Sequence, residues 1–194
     1  MSKRPAFISG VSVSGDLLGL LLSGLGSYGQ IEGALRVGIR QKYYPTIELG
    51  LGISDHINEN TETHFKTRSP YFRIGGDYNF ARDKSSGNRV FGGIRYAFTS
   101  FSFDLTGKDI IDPVWRNSNI AYDFRDMKST VHWLEMVFGL EAKIWGNLHV
   151  GWTLRYRKRL SQSVSEVGQA WYVPGYGKND GHVWGGTFNL VFDI

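Results

Sequence analysis

Few side chains in this sequence have the types and spacing that enzyme chemistry requires. Ser129 and His132 lie close together in the chain, and a histidine can act as general base for a serine hydroxyl that attacks an acyl ester. Such chemistry would suit a lipid-modifying enzyme of the deacylase or acyltransferase type. In a β-strand, however, these two side chains would point to opposite faces, and no acidic residue is placed to orient the histidine. We therefore predict no catalytic residues and interpret His132 as an interfacial histidine.

Metal ions, cofactors and nucleic acids are not predicted as ligands. The five histidines (His56, His64, His132, His149 and His182) lack the short paired spacing of a metal site, and the chain has no cysteine. Asp104, Asp109 and Asp112 lack the spacing of an EF-hand loop. The formal charge of +4 is spread along the chain, whereas a nucleic-acid surface needs clustered basic residues.

The elements that must position these residues are strands, because apolar and polar residues alternate along most of the chain. In the last segment, Trp184, Phe188 and Phe192 share one face, and Thr187 and Asn189 lie on the other. Eight segments alternate in this way: 7–16, 30–40, 46–54, 71–80, 90–103, 130–145, 148–160 and 184–194. Eight strands close most economically into an antiparallel up-and-down barrel, which has no free edge. The prediction is a single all-β domain over residues 1–194.

The polar faces of these strands indicate which side points inward. They combine glycines with acidic and basic residues, whereas strand positions that face water favour threonine, lysine and glutamine. Glycines beside bulky ions suit a narrow interior, in which buried charges must be paired. The predicted lumen network contains Glu32, Arg36, Glu48, Arg73, Asp77, Arg95, Glu135, Glu141, Lys143, Arg155 and Arg157. The apolar faces then contact lipid, which favours a transmembrane barrel over a soluble lipocalin-like barrel.

The connections and the aromatic residues support the same orientation. Long connections (17–29, 55–69, 104–129 and 161–182) alternate with short ones (41–45, 81–89 and 146–147), as in barrels of the Gram-negative outer membrane. Aromatic residues near the strand ends predict two interfacial girdles. The turn-side girdle contains Phe7, Tyr43, Tyr44, Phe80, Phe91, Trp145 and Phe192, and the loop-side girdle contains Tyr28, Phe72, Phe101, Phe103, Trp133, Tyr156 and Trp184.

Several short motifs also carry a resemblance to a known family. They include His132-Trp133-Leu134-Glu135, Ile144-Trp145-Gly146, Arg155-Tyr156-Arg157, the segment 171–177 and Gly185-Gly186-Thr187-Phe188. Over nearly its whole length the chain resembles a poorly characterised outer-membrane barrel family of the Bacteroidota. The resemblance implies the fold and the location. It implies no activity, because none is established for that family.

Two of the long connections are predicted to contact partners. Asp16 can cap a short helix that carries Leu17, Leu18, Leu20, Leu21 and Leu22, and the last connection carries Trp171, Tyr172 and Tyr176. Exposed apolar patches usually mark a protein or membrane contact, although the helix could also close the barrel mouth or rest in the outer leaflet. We therefore expect a non-catalytic barrel, surrounded by outer-membrane lipid, that is a structural or accessory subunit of an envelope complex. Insertion or secretion machinery is a candidate host, and a lipid-modifying enzyme is the alternative.

Overall fold

Eight long antiparallel strands form a closed barrel. The computed structural model describes residues 7–59, 61–81, 87–108, 110–111, 119–120, 122–163 and 168–194. The strands are β1 (Ile8–Asp16), β2 (Tyr28–Ile39), β3 (Tyr43–Asn58), β4 (Thr63–Asn79), β5 (Arg89–Thr106), β6 (Asp123–Trp145), β7 (Leu148–Gln162) and β8 (His182–Asp193). Each strand pairs with the next one in the chain, and β8 pairs with β1 to close the ring. The predicted eight-stranded up-and-down barrel is confirmed.

Three smaller elements lie in the connections. The helix α1 (Leu17–Leu25) follows β1, and the side chain of Asp16 accepts a hydrogen bond from the N–H of Leu18 at 3.1 Å, as an N-cap does. Two short hairpins pair Ile110–Ile111 with Asn119–Ile120 and Tyr172–Val173 with Gly177–Lys178. Within the described residues, no helix is long and apolar enough to cross a membrane. We call the end of the barrel with α1 the loop end and the opposite end the turn end.

The outer surface of the barrel is apolar. Leu49 is 61% exposed, Ile94 is 62% exposed and Trp152 is 63% exposed, and similar side chains point outward from every strand. An apolar surface that encircles a soluble monomer would be strongly unfavourable in water. Strand alternation with apolar residues outside and charges inside is the arrangement of a barrel in lipid. The barrel therefore spans a membrane with this surface.

Part of the girdle prediction is wrong, because several aromatic residues point into the barrel. Tyr43, Phe80, Trp145, Tyr156 and Trp184 do lie on the exterior. The buried aromatic residues are Tyr44, Phe91, Phe101, Phe103 and Trp133. Adjacent strand residues face opposite sides, so nearness to a strand end does not place a side chain at the interface. Three of these, Phe101, Phe103 and Trp133, belong to an apolar cluster inside the loop end.

The strands β3 to β6 extend further toward the loop end than predicted. Strands β3 and β4 remain paired up to Asn58 and Thr63, so only residues 59–62 connect them instead of the predicted 55–69. In the outer segment of β4, Phe65 and Thr67 point inward and the residues between and beside them are basic and point outward. Such a mixed composition is typical of a loop, so the sequence does not indicate a strand there. On the opposite side of the ring, β1 ends at Asp16. The wall of the barrel is consequently high on one side and low on the other.

We expect Leu140→Arg to destabilise the barrel in lipid. Leu140 is 50% exposed near the middle of the apolar surface of β6, and an arginine at that depth costs about 2 to 4 kcal/mol. The matched control is Leu160→Arg, which places the same side chain beyond Lys158 at the loop end and should cost about 1 kcal/mol or less. Urea unfolding in phospholipid vesicles measures both values. Equal losses would contradict a membrane-spanning exterior.

Candidate functional site: a charged lumen closed by a loop

Buried charged side chains fill the centre of the lumen. Strand alternation turns them inward from β2 to β7, and they comprise four arginines and four carboxylates. These residues are Arg73, Arg95, Arg155, Arg157, Glu32, Glu48, Asp77 and Glu135. The formal charges cancel within the cluster. This balance matters because an unpaired charge in so enclosed a space costs several kcal/mol.

Glu135 joins three of the arginines. Its carboxylate lies 2.8 Å from Nε of Arg73, 3.2 Å from Nη1 of Arg155 and 3.4 Å from Nε of Arg157. The indole N–H of Trp133 donates a further hydrogen bond to it at 2.7 Å. Glu135 itself has no solvent exposure, so these groups replace its hydration shell.

Glu48 and Glu32 connect the remaining members. The Glu48 carboxylate lies 2.7 Å from Nη1 of Arg155 and 3.0 Å from Nε of Arg95. Arg95 also pairs with Asp77 at 2.8 Å. Glu32 pairs with Arg73 and with Arg155. The predicted central residues are therefore brought together in one continuous network.

A second charged cluster occupies the turn end. Glu141 pairs with Arg36 at 2.6 Å and with Arg89 at 3.0 Å, and Arg89 also reaches Asp193. Nε2 of His149 lies 3.1 Å from the same Asp193 carboxylate. Sequence reasoning missed Arg89, His149 and Asp193, although all three share the inward register of their strands. The sequence interpretation assigns Arg89 to the connection 81–89, whereas His149 and Asp193 lie in predicted strands and are left out of the predicted charge network.

Lys143 is a correction to the predicted network. Lys143 is exposed at the turn end of β6, and its backbone N–H donates a hydrogen bond to Oδ1 of Asn88 at 3.0 Å. It lies one inward position beyond Glu141, where the lumen opens and water can solvate an ammonium group. The alternation places Lys143 on the correct face but does not indicate where along the strand the enclosed lumen ends.

Glycines provide the space that the buried ions occupy. A Cβ atom added to Gly151 would lie 2.7 Å from Cγ of Glu141, and one added to Gly75 would lie 2.8 Å from Cδ of Arg95. Larger residues at either position would therefore displace a charged side chain. At these two positions, glycine leaves the space that the neighbouring ion occupies.

The last connection folds back into the loop end as a plug, which we define as residues 170–178. The carbonyl of Gly175 accepts a hydrogen bond from Arg73 at 2.7 Å, and the carbonyl of Tyr176 accepts one from Arg157 at 2.9 Å. The ring of Tyr176 packs edge-on against Trp133, with 5.6 Å between centroids. The plug is thus held by the same arginines that bind the central carboxylates.

The plug corrects the prediction that Tyr172 and Tyr176 contact partners. Tyr172 is 3% exposed and Tyr176 is fully buried, because the apolar cluster of the loop end surrounds them. Trp171 remains partly accessible, and its ring stacks on His56 with 4.2 Å between centroids. Of the three predicted aromatic contacts, only Trp171 is available at the surface.

The helix α1 presents the other predicted contact residues. Leu20 is 50% exposed, Leu21 61% and Leu22 49%, whereas Leu17 and Leu18 are partly buried. The helix packs closely on the barrel wall, since a Cβ atom at Gly29 of β2 would overlap the backbone of Ser23. The three exposed leucines therefore lie on a helix that is fixed against the barrel.

Ser129 and His132 do not form a nucleophile and base pair. Ser129 is buried inside the barrel, where its hydroxyl donates to the carbonyl of Ser163 at 3.2 Å. His132 faces outward, with Nδ1 2.7 Å from the hydroxyl of Tyr96 and its ring stacked on Phe98. The barrel wall separates the two side chains, as their opposite alternation requires.

Asp55 of the β3–β4 hairpin contacts two basic side chains. Nε2 of His64 lies 2.5 Å from Asp55, and Nζ of Lys66 lies 3.5 Å from the same carboxylate. The hydrogen bond from His64 lowers the pKa of Asp55 below its usual value. Across the part of the chain that the structure describes, no three histidine or acidic residues are grouped so that they could hold a metal ion.

Comparisons with known proteins identify a family and two similar folds. The model of a family described as "Domain of unknown function (DUF6048)" matches residues 4–193, and no curated protein matches the chain. A major outer membrane protein from Thermus thermophilus has 13% identity, a TM-score of 0.48 and coverage of 95% of this chain and 97% of its own. Neisserial surface protein A has 16% identity, a TM-score of 0.46 and coverage of 95% and 93%. These values are too low to transfer any property of either protein to this chain.

We expect Gly175→Ala to loosen the plug. Gly175 has φ of +78° and an added Cβ would overlap the ring of Tyr71, so the variant combines backbone strain with a clash. Hydrogen exchange of the Tyr176 amide, which donates to the carbonyl of Val173 at 3.0 Å, should accelerate about tenfold or more. The matched control is Gly168→Ala, where φ is +96° but an added Cβ meets nothing within 4 Å. Unchanged exchange in Gly175→Ala would show that the plug is not seated against Tyr71.

Proposed function

The chain belongs to the DUF6048 family, and we propose that it is an integral barrel of the Gram-negative outer membrane that acts without catalysis, as a structural or accessory subunit of an envelope protein complex. Insertion or secretion machinery is the candidate host. The outer membrane is the proposed location because closed bilayer-spanning barrels of this size are characteristic of it. A source in the Bacteroidota stays a prediction of the sequence resemblance.

The lumen supports a role other than transport. An eight-stranded barrel has an interior just wide enough for its own side chains. Here the central ion pairs occupy that interior, and the plug covers it at the loop end through bonds from Arg73 and Arg157. A solute would have to break both layers to pass. The described lumen is therefore suited to stabilise the barrel rather than to conduct.

The exposed leucines of α1 are the single observation that carries the proposal. Leu20 and Leu21 project from a helix that is capped by Asp16 and packed on Gly29, so they are held in place before any partner arrives. Preorganised apolar side chains lose little entropy on binding and often act as anchors of an interface. A membrane protein partner would cover them within the outer leaflet.

The enzymatic alternative is less well supported. It requires a serine and a histidine on one surface, whereas Ser129 is inside the barrel and His132 is outside. A general base must come within hydrogen-bond distance of the proton it removes, directly or through one water. The intact wall between the two side chains prevents that approach.

We expect the double variant Leu20→Ser and Leu21→Ser to release the protein partners. The native complex is purified in mild detergent through a tag on this chain, and the partners are quantified by mass spectrometry. Loss of two apolar anchors should lower their recovery about tenfold or more. Leu22 is left unchanged because it also lines a cavity that is described below.

The control variant is Ser129→Ala, which removes the proposed nucleophile and should leave partner recovery unchanged. Full recovery of partners with the leucine variant would contradict the accessory role of this surface. A change of membrane lipid structure in cells that carry only Ser129→Ala would instead favour the enzymatic alternative.

A further inference from the structure

The barrel wall is incomplete at the loop end of the seam between β1 and β8. The two strands pair from Ser12 with Asp193 to Asp16 with Asn189, and the chain then leaves the wall as α1. Strand β8 continues to His182 and pairs with β7 throughout. Between Phe188 and His182, the hydrogen-bonding edge of β8 on the β1 side therefore has no strand neighbour among the described residues.

This open edge of β8 presents backbone hydrogen-bond groups. The N–H of Phe188 points to the edge, where it donates to Oδ1 of Asp16 at 3.2 Å. Because alternate residues of a strand direct their N–H groups to the same side, those of Gly186 and Trp184 point to the edge as well. Backbone groups at membrane depth require a hydrogen-bond partner.

A cavity of about 560 Å³ lies at this seam, a volume that falls in the range of small-molecule sites. Leu22 of α1 and Tyr28 of β2 line one side, and Trp184 and Gly186 of β8 line the other. Trp184 is exposed on the barrel exterior and packs on Tyr156 at 4.9 Å between centroids. Trp184 therefore forms an apolar wall of the cavity on the barrel exterior.

Basic groups gather at the polar part of this cavity. Lys178 of the plug, His182 of β8 and the buried Arg157 all line it. Two carboxylates also line it: Oδ1 of Asp16 accepts hydrogen bonds from the N–H groups of Leu18 and Phe188, and its buried Oδ2 has no hydrogen-bond partner among the described residues. The second carboxylate, Asp180, is exposed on the plug side. Lys178 and the edge N–H groups can bind phosphate oxygens, and the two carboxylates and the edge carbonyl groups can accept hydrogen bonds from hydroxyl groups of the same ligand.

We propose that the seam cavity binds a phosphate-bearing lipid of the outer leaflet. The phosphate contacts Lys178 and His182 and accepts hydrogen bonds from the open edge of β8. The acyl chain extends along Trp184 and Leu22 toward the surrounding lipid. The phosphate oxygens accept hydrogen bonds from the edge N–H groups, and hydroxyl groups of the lipid headgroup donate to the edge carbonyl groups. One hydroxyl-bearing phospholipid therefore matches both the polar and the apolar walls.

A β-strand from another protein fits the seam less well. The open edge offers only the N–H and C=O groups of three residues, Gly186, Trp184 and His182, because Asp16 already occupies the N–H of Phe188. The backbone of Gly19 in α1 also lies against the carbonyl of Gln30, next to the position that an added strand would take. Strand addition relies on a continuous ladder of backbone bonds, which this short edge does not provide.

The test measures lipid binding to the full-length protein in detergent by native mass spectrometry, with dioleoylphosphatidylglycerol as the probe. We expect one lipid to be retained per barrel, and we expect neither dioleoylglycerol nor free glycerol phosphate to be retained at the same concentration. The double variant Lys178→Ala and His182→Ala should bind the probe about tenfold more weakly, as expected for lost charge-assisted contacts with a phosphate.

Gly186→Trp provides a second variant that fills the cavity without altering its charge. An added Cβ at Gly186 makes only an ordinary contact, 3.5 Å from the carbonyl of Thr153, so the barrel should fold normally. The Gly186→Trp variant should not retain the lipid. The matched control is Arg68→Ala with Lys128→Ala, which removes two exposed basic residues of β4 and β6 away from the seam and should leave binding unchanged.

Three results would overturn the proposal. The first is that dioleoylglycerol is retained as well as the probe lipid, and the second is that the Arg68 and Lys128 control weakens lipid binding as much as the Lys178 and His182 variant does. The third is that hydrogen exchange of the Trp184 and Gly186 amides slows only when a protein partner is bound. The last result would assign the edge to strand addition. None of these outcomes depends on Leu20 or Leu21, so failure here is distinguishable from failure of the proposed accessory function.

Discussion

A carboxylate or guanidinium enclosed in a narrow lumen must find its counter-charge within the protein, because too little water is present to solvate it. Glu135 shows how completely this requirement is met, since Arg73, Arg155, Arg157 and Trp133 all contact it. The constraint reaches beyond the ions themselves. It requires small residues beside them, and Gly75 and Gly151 leave the necessary space.

The same arginines couple the centre of the barrel to its loop end. Arg73 and Arg157 bind carboxylates with part of each guanidinium and plug carbonyls with another part. Five donors in a fixed planar group allow arginine to join both layers, which a lysine could not do in this geometry. The proposed contacts with protein and lipid therefore lie on the exterior of the barrel. There α1 and the seam present exposed leucines and a lipid-level cavity.

Alternation in the sequence was sufficient for the strands and for the central network. Arg95 and Asp77 could be assigned to the lumen because a period of two fixes the face of every strand residue. Depth along the strand is not encoded in this way, so the pattern places Lys143 inside the lumen and assigns Arg89 to a connection. The burial of Tyr172 and Tyr176 was also unpredictable, since it depends on a loop that folds back onto Arg73 and Arg157 from other strands. The aromatic composition of the segment does not distinguish a plug inside the lumen from a surface that contacts a partner.

A double-mutant cycle on Arg95 and Asp77 tests the balanced lumen most directly. Arg95 is the ion-pair partner of Asp77 at 2.8 Å, and Glu48 retains Arg73 and Arg155 when Arg95 is removed. Unfolding free energies in lipid vesicles would be compared for Arg95→Met, Asp77→Asn and the double variant. Arg95→Met should cost about 3 to 5 kcal/mol because it leaves the Asp77 carboxylate unpaired, whereas Asp77→Asn should cost less because Glu48 still pairs with Arg95. The double variant should be more stable than Arg95→Met alone, because the unpaired carboxylate is then gone. Costs that add to within about 0.5 kcal/mol would show that the two charges are independently solvated and would contradict the account.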